Sequence, residues 1–274
     1  MEFLRITSTA NLRIKEAVRI RERRHTPEQN LFVIEGSRII ETAIEANVGI
    51  REVFFTDRFG SEGEGGGLLK TLRTKGANIF VTTEHVINKI TDTETPQGIA
   101  AVVSYEKSSL DRLPVQKNPI FAVADGIREP GNLGTIIRTA DAAGIGAVIL
   151  LEGTCDVLIP KVIRATAGSI FHVPIAHAKA ETFVKWLRDM NIKLAVTSAD
   201  AAESVFNAEL DGPVAFVFGN EARGVSETIR KSADVFLKVP IYGNAESLNV
   251  ATSAAVCLYE AVRQRRAKQG HTIL

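Results

Sequence analysis

The stretches PIFAVAD (119–125), GAVILL (146–151), IKLAVTS (192–198) and PVAFVFG (213–219) are apolar at nearly every position rather than at every second one. A strand of this kind has no side left for water, so it belongs inside a mainly parallel sheet covered on both faces. Parallel strands need long crossovers, and the intervening sequence supplies them. Helical periodicity starts near Asn132, Lys161, Glu181 and Ser226, and a final helix runs from about Ser247 to Lys268. FHVPIA (171–176) and VFLKVPI (235–241) read as further strands. The pattern predicts an α/β fold.

The preceding residues also alternate, on a smaller scale. A basic helix over about 10–24 leads to the strand LFVIEG, the helix SRIIETAIEAN and the strand REVFFTD. After the glycine-rich GSEGEGGG, read as a flexible tip, come a helix near 67–75, the strand NIFVTT, a short helix near 84–90 and the strand GIAAVVSY. The segment YEKSSLDRLPVQK then loses periodicity and carries a proline. The expected organisation is a small α/β domain over 1–106, a linker over 107–116 and a second domain over 117–274.

Two cysteines among 274 residues permit neither a disulfide framework nor a cysteine-rich zinc site, so no metal is expected. No apolar run approaches the roughly 20 residues of a membrane span. Cytoplasmic residence without membrane insertion is the expectation. A net charge of +1 leaves local patches to decide the partner. The first helix concentrates Arg13, Lys15, Arg19, Arg21, Arg23 and Arg24 around an apolar stripe of Ile14, Val18 and Ile20. It reads either as a solvated face diluted by Glu16 and Glu22, or as a contact for RNA phosphates whose affinity would fall steeply with salt.

Ligands of open parallel sheets collect at the carboxyl ends of strands. Three unusual loops follow such ends here: DGIREPGNLGTIIR, GNEARG and PIYGNAESLN. None is a P-loop, and no G-x-G-x-x-G follows a strand, which disfavours a nucleotide-dependent oxidoreductase. In the first loop Asn132 stands where a helix N-cap belongs, with Leu133, Ile136, Ile137 and Ala140 inward and Thr135 and Arg138 outward. In the second, a core strand runs directly into Gly219, Asn220 and Glu221; the glycine implies pressure from a ligand, from another chain segment, or from a tight turn. In the third, Gly243, Ser247, Leu248 and Asn249 precede a helix of small residues, where free backbone N–H groups could face a ligand. Ser247 alone would explain a capped helix start, but not Asn249.

Taken in order, the three loops resemble the three motifs of the SpoU (TrmH) family of RNA ribose 2'-O-methyltransferases, within the SPOUT superfamily. Asn132, Gly134 and Arg138 fit N-x-G-x-x-x-R; Gly219, Glu221 and Gly224 fit G-x-E-x-x-G; Pro240, Gly243, Ser247, Leu248 and Asn249 fit P-x-x-G-x-x-x-S-L-N. The resemblance implies a C-terminal SPOUT domain with a deep trefoil knot, preceded by a ribosomal-protein-like substrate-binding domain. It implies an S-adenosylmethionine pocket touching Gly219, Val239, Leu248 and Ser198, a homodimer, and RNA as partner. Arg138 would serve the reacting hydroxyl, with Asn132, Glu221, Ser247 and Asn249 positioning it and the nucleotide. A guanidinium keeps its proton, so Arg138 is expected to bind phosphate and steady a developing alkoxide rather than act as a base. The extra N-terminal domain favours 23S ribosomal RNA by analogy; a transfer RNA enzyme and a silent RNA-binding protein are the alternatives.

Overall fold

The computed structural model describes residues 3–23, 30–61, 65–106, 108–114 and 117–270. Arg24 and residues 62–64 of the glycine-rich stretch lie outside them. The chain divides into two compact units, one formed by residues 1–106 with 158–171, the other by 107–157 with 172–274.

The first unit is built on β1 (Leu4–Ile6), β2 (Leu31–Glu35), β3 (Ile50–Thr56), β4 (Asn78–Thr82) and β5 (Ile99–Ser104). Their order is β1-β4-β3-β5-β2, with β1, β4 and β3 parallel and β5 antiparallel to both β3 and β2. Helix α1 (Leu12–Arg21) packs on α5 (Glu84–Ile90), and α2 (Ser37–Glu45) on α4 (Gly65–Thr74), while α3 (Asp57–Ser61) precedes α4. Ile14, Ala17 and Ile20 carry the buried stripe of α1, into a core with Phe54, Phe80, Ile87 and Ile90. Val18 is only half-buried. The helix is shorter than its periodicity suggested: Asn11 caps its start by accepting from the N–H of Arg13, and Arg23 turns left-handed at φ 56 beyond its end.

Helix α7 (Pro160–Thr166) belongs to this first unit and not, as expected, to the second. Its attachment is both apolar and ionic. Phe171 stacks on Phe32 at 6.1 Å, and Arg164 donates to Asp92 at 2.7 Å. Phe171 is therefore spent in a short 3-10 turn, and the strand expected from it begins only after Pro174, as β8 (Ile175–Ala178).

The second unit holds β6 (Ile120–Asp125), β7 (Ala147–Leu151), β8, β9 (Lys193–Thr197), β10 (Glu203–Ser204), β11 (Val214–Gly219) and β12 (Val235–Lys238). All pair in parallel, in the order β10-β12-β9-β11-β6-β7-β8. Phe121, Val123, Val196, Ala215 and Val217 face one core with α8 (Ala180–Asp189) and α9 (Glu227–Ser232), contributing Phe183, Leu187 and Ile229. Leu110 and Leu113 are buried in that core, so this part of the expected linker is packed structure rather than a tether. On the other face α6 (Pro130–Ala142) and α10 (Val250–Lys268) pack on each other and on β6, with Leu133, Ile136, Ile137 and Ala140 of α6 fully buried. Arg265 of α10 donates to the carbonyls of Asn118, Pro119 and Gly212, fastening the helix near the starts of β6 and β11.

Candidate active site

The sheet turns β7 and β9 to opposite sides of the β6–β11 pair, and a crevice is expected at the carboxyl ends of the strands around such a reversal. A cavity of about 910 Å³ lies there. The ends of β9, β11 and β12 form its walls with the loop that leads into α10. Ser198, Gly219, Val239 and Leu248, assigned to the cofactor by resemblance, all line it, as do Glu221, Ser247 and Asn249. The lining set excludes Asn132 and Arg138.

Asn132 is nevertheless tied to it. Its Nδ2 donates to Glu221 Oε1 at 2.8 Å, and its Oδ1 accepts from Asn249 Nδ2 at 2.9 Å. One residue from each loop thus enters a single hydrogen-bonded chain. The expected N-cap role of Asn132 is wrong: the helix starts two residues earlier, where Pro130 supplies a pre-set φ at its first position. At α10 the cap is Asn249 and not Ser247, since Asn249 Oδ1 accepts from the N–H groups of Ala251 at 2.9 Å and Thr252 at 3.4 Å.

Glu221 is an organiser by geometry. Partial burial pushes its carboxyl up, but the Asn132 amide and the backbone N–H groups of Glu221, Arg128 and Glu129 outweigh that and hold it below the usual range. Those two upstream N–H groups sit where α6 begins, so the carboxylate supplies an anionic cap that Glu129 does not. Asn220, which sequence reasoning left without a role, orients the same loop. Its Oδ1 accepts from the N–H groups of Ala222 and Arg223 at 3.1 and 3.0 Å, and its Nδ2 donates to the Gly126 carbonyl at 2.8 Å.

The loop folds back on the strand it leaves. Asn220 and Gly224 exchange two backbone hydrogen bonds, each 2.9 Å. A Cβ on Gly219 would lie 2.4 Å from the Gly224 carbonyl carbon and 2.5 Å from Val225 N. The pressure on this glycine comes from another chain segment. Asp125, 4% exposed at the end of β6, closes the turn by accepting from Ser226 N at 2.6 Å. A lone acid ending an otherwise apolar strand was the available signal for it.

Arg138 stands on the exposed face of α6 and has no hydrogen bond or ion pair among the described residues. Burial pushes the Cys155 thiol up to about 11, and Asp156, Glu221 and Glu129 add to the effect, so the thiolate is disfavoured there.

The basic residues of α1 are not one free patch. Arg13 pairs with Glu52 and lies over the Phe80 ring at 4.9 Å. Arg21 donates to the carbonyls of Lys89 and Thr91, and Arg23 to that of Leu31. Lys15 and Arg19 are exposed, with Glu16 4.0 Å from Arg19.

Known proteins resemble this chain in sequence and fold. The SpoU rRNA Methylase family matches residues 119–259, and the MRM3-like substrate binding domain matches 11–101. The 23S rRNA (guanosine(2553)-2'-O)-methyltransferase RlmP of Bacillus subtilis is 32% identical over 254 residues, covering 93% of this chain and 97% of its own. An AdoMet-bound rRNA methyltransferase from Sinorhizobium meliloti superposes with a TM-score of 0.86 at 29% identity, covering 94% of this chain and 97% of that one. The SpoU methyltransferase AviRb from Streptomyces viridochromogenes, in complex with AdoMet, gives 0.85 at 28% identity over 93% of this chain and 98% of its own.

Proposed function

Because the chain belongs to the SpoU rRNA methylase family, we propose that it transfers a methyl group from S-adenosylmethionine to a ribose 2'-hydroxyl of 23S ribosomal RNA. The observation that carries this reading is the chain Glu221–Asn132–Asn249, which draws all three motif loops to the rim of one cavity. The cavity suits the cofactor. Its volume is in the range of small-molecule sites, and apolar Val239, Ile241 and Leu248 stand beside backbone-rich strand ends and the carboxylates of Asp200 and Glu246. Ser198, Gly219, Val239 and Leu248 would hold it. When bound, it supplies an electrophilic methyl group.

The chain's own residues have the remaining tasks of alignment and charge stabilisation. Glu221 is fully engaged by donors and kept ionised, so it serves as a strut for the loops. Asn132 and Asn249 hold the loops in register, and Ser247 contributes a hydroxyl to the cavity wall. Arg138, unpaired among the described residues, presents a guanidinium that binds the phosphate next to the target ribose and steadies negative charge as it develops on the 2'-oxygen. Lys15 and Arg19 add phosphate contacts on the first unit.

The same reading includes the trefoil knot, cytoplasmic residence, and a homodimer. Exposed Tyr259 on α10 supports the dimer.

The test is transfer of labelled methyl to unmodified ribosomal RNA, with digestion to nucleosides. Wild type should yield a 2'-O-methylnucleoside; Arg138→Ala should lose it while still binding cofactor. Full turnover by Arg138→Lys would refute a requirement for the forked guanidinium over a point charge, and absence of both cofactor binding and transfer in wild type would refute the function.

A further inference from the structure

Tyr242 is 91% exposed, the most exposed of the large hydrophobic side chains among the described residues. It lies on the loop between β12 and α10. On one side of it Ile241 lines the cavity, and on the other Glu246, Ser247, Leu248 and Asn249 do so. Gly243, its neighbour, has nothing within 4 Å of where a Cβ would stand, so the backbone beside Tyr242 is uncrowded as well. An aromatic held out at the edge of a reaction cavity offers a flat face to a planar ligand.

Charge decides which ligand. The loop from Val239 to Asn249 contains no lysine or arginine and one glutamate, so it is unsuited to gripping the phosphate backbone. Every nucleobase, by contrast, has a face that stacks on an aromatic ring without help from charge. We propose that Tyr242 stacks on a base of the RNA substrate, at or adjacent to the methylated nucleotide, and so fixes which ribose reaches the cavity. This rests on the methyl-transfer reading above and adds a division of labour to it. Basic groups elsewhere provide salt-sensitive affinity, and Tyr242 provides a salt-insensitive contribution at the site itself.

The experiment measures RNA Kd and methyl transfer for full-length Tyr242→Ala and Tyr242→Phe against wild type, across a salt series, with cofactor affinity and sedimentation measured in parallel. Loss of one stacked base should weaken RNA binding roughly 5- to 140-fold in Tyr242→Ala. The slope of log Kd against log salt should not change, and Tyr242→Phe should restore near-wild-type binding, because the ring is retained. Cofactor affinity and molecular mass should stay at their wild-type values. Unchanged RNA binding in Tyr242→Ala, a reduced salt slope, or failure of Phe to rescue would each overturn the proposal. So would a fall in molecular mass, which would assign the ring to self-association. Failure of wild type itself to bind cofactor or transfer methyl would instead refute the methyl-transfer reading, which separates the two.

Discussion

Replacing Gly219 by alanine isolates the crowding behind the second motif. The added Cβ would sit 2.4, 2.5 and 2.8 Å from Gly224 C, Val225 N and Gly224 O, whereas ordinary contact begins near 3.4 Å. All three are backbone atoms, so no rotamer change relieves the clash, and the two segments must separate by about 1 Å. Gly219 is not left-handed, so the cost is steric alone. The chain can accept overpacking strain, at roughly 1–3 kcal/mol. Alternatively it can open the loop, giving up the two Asn220–Gly224 bonds at about 1 kcal/mol each and straining the Ser226–Asp125 contact. Either route comes to about 1–3 kcal/mol, equivalent to a Tm lower by roughly 3–10 °C for a unit of this size. Because the loop also forms the cavity wall, the competent conformation becomes rarer, and S-adenosylmethionine should bind roughly 5- to 140-fold more weakly by calorimetry. Gly243→Ala is the control, since its Cβ would meet nothing within 4 Å. Wild-type Tm and a Kd within about twofold of wild type in Gly219→Ala would refute the argument that close approach of Gly224 and Val225 is what demands glycine.

Two other expectations follow from the geometry. Glu221→Gln removes a carboxyl held below its usual range, whose stabilisation is present above the unfolded value of about 4.3 and is lost as pH falls through the lower folded value. Its Tm should therefore trail wild type near neutrality, by the equivalent of on the order of 1 kcal/mol given its exposure, and converge with it as pH falls below the lowered folded value; a gap that persists in strong acid would overturn the assignment. Lys15→Ala and Arg19→Ala should each lower the salt slope of RNA binding by about 1 without altering cofactor affinity, and an unchanged slope would remove them from the RNA contact.

The central strands were legible because burial on both faces leaves an unbroken apolar run, here too short for a buried helix and rich in Val, Ile and Phe. The three residues of β1 and the two of β10 carry no such pattern. Charge on α1 was legible as composition but not as availability: Arg21 reaches carbonyls at the end of α5, 68 and 70 positions on, and Arg23 the carbonyl that opens β2, so whether an arginine meets a carbonyl or water is decided by neighbours outside its own helix. Side chains with two functional ends show the limit most clearly. Asn132 looks like a cap in its own helix, yet both ends of its amide are taken by residues 89 and 117 positions away. Asn249 uses its oxygen locally on Ala251 and its nitrogen at long range on Asn132. Aspartate would cap α10 as well but has no donor for Asn132, so the capping rule alone could not have selected asparagine here. The choice between two equally good caps is made by a contact that exists only after the sheet has brought the loops together, which is why a local capping rule treats Asn132 and Asn249 alike although only Asn249 caps a helix.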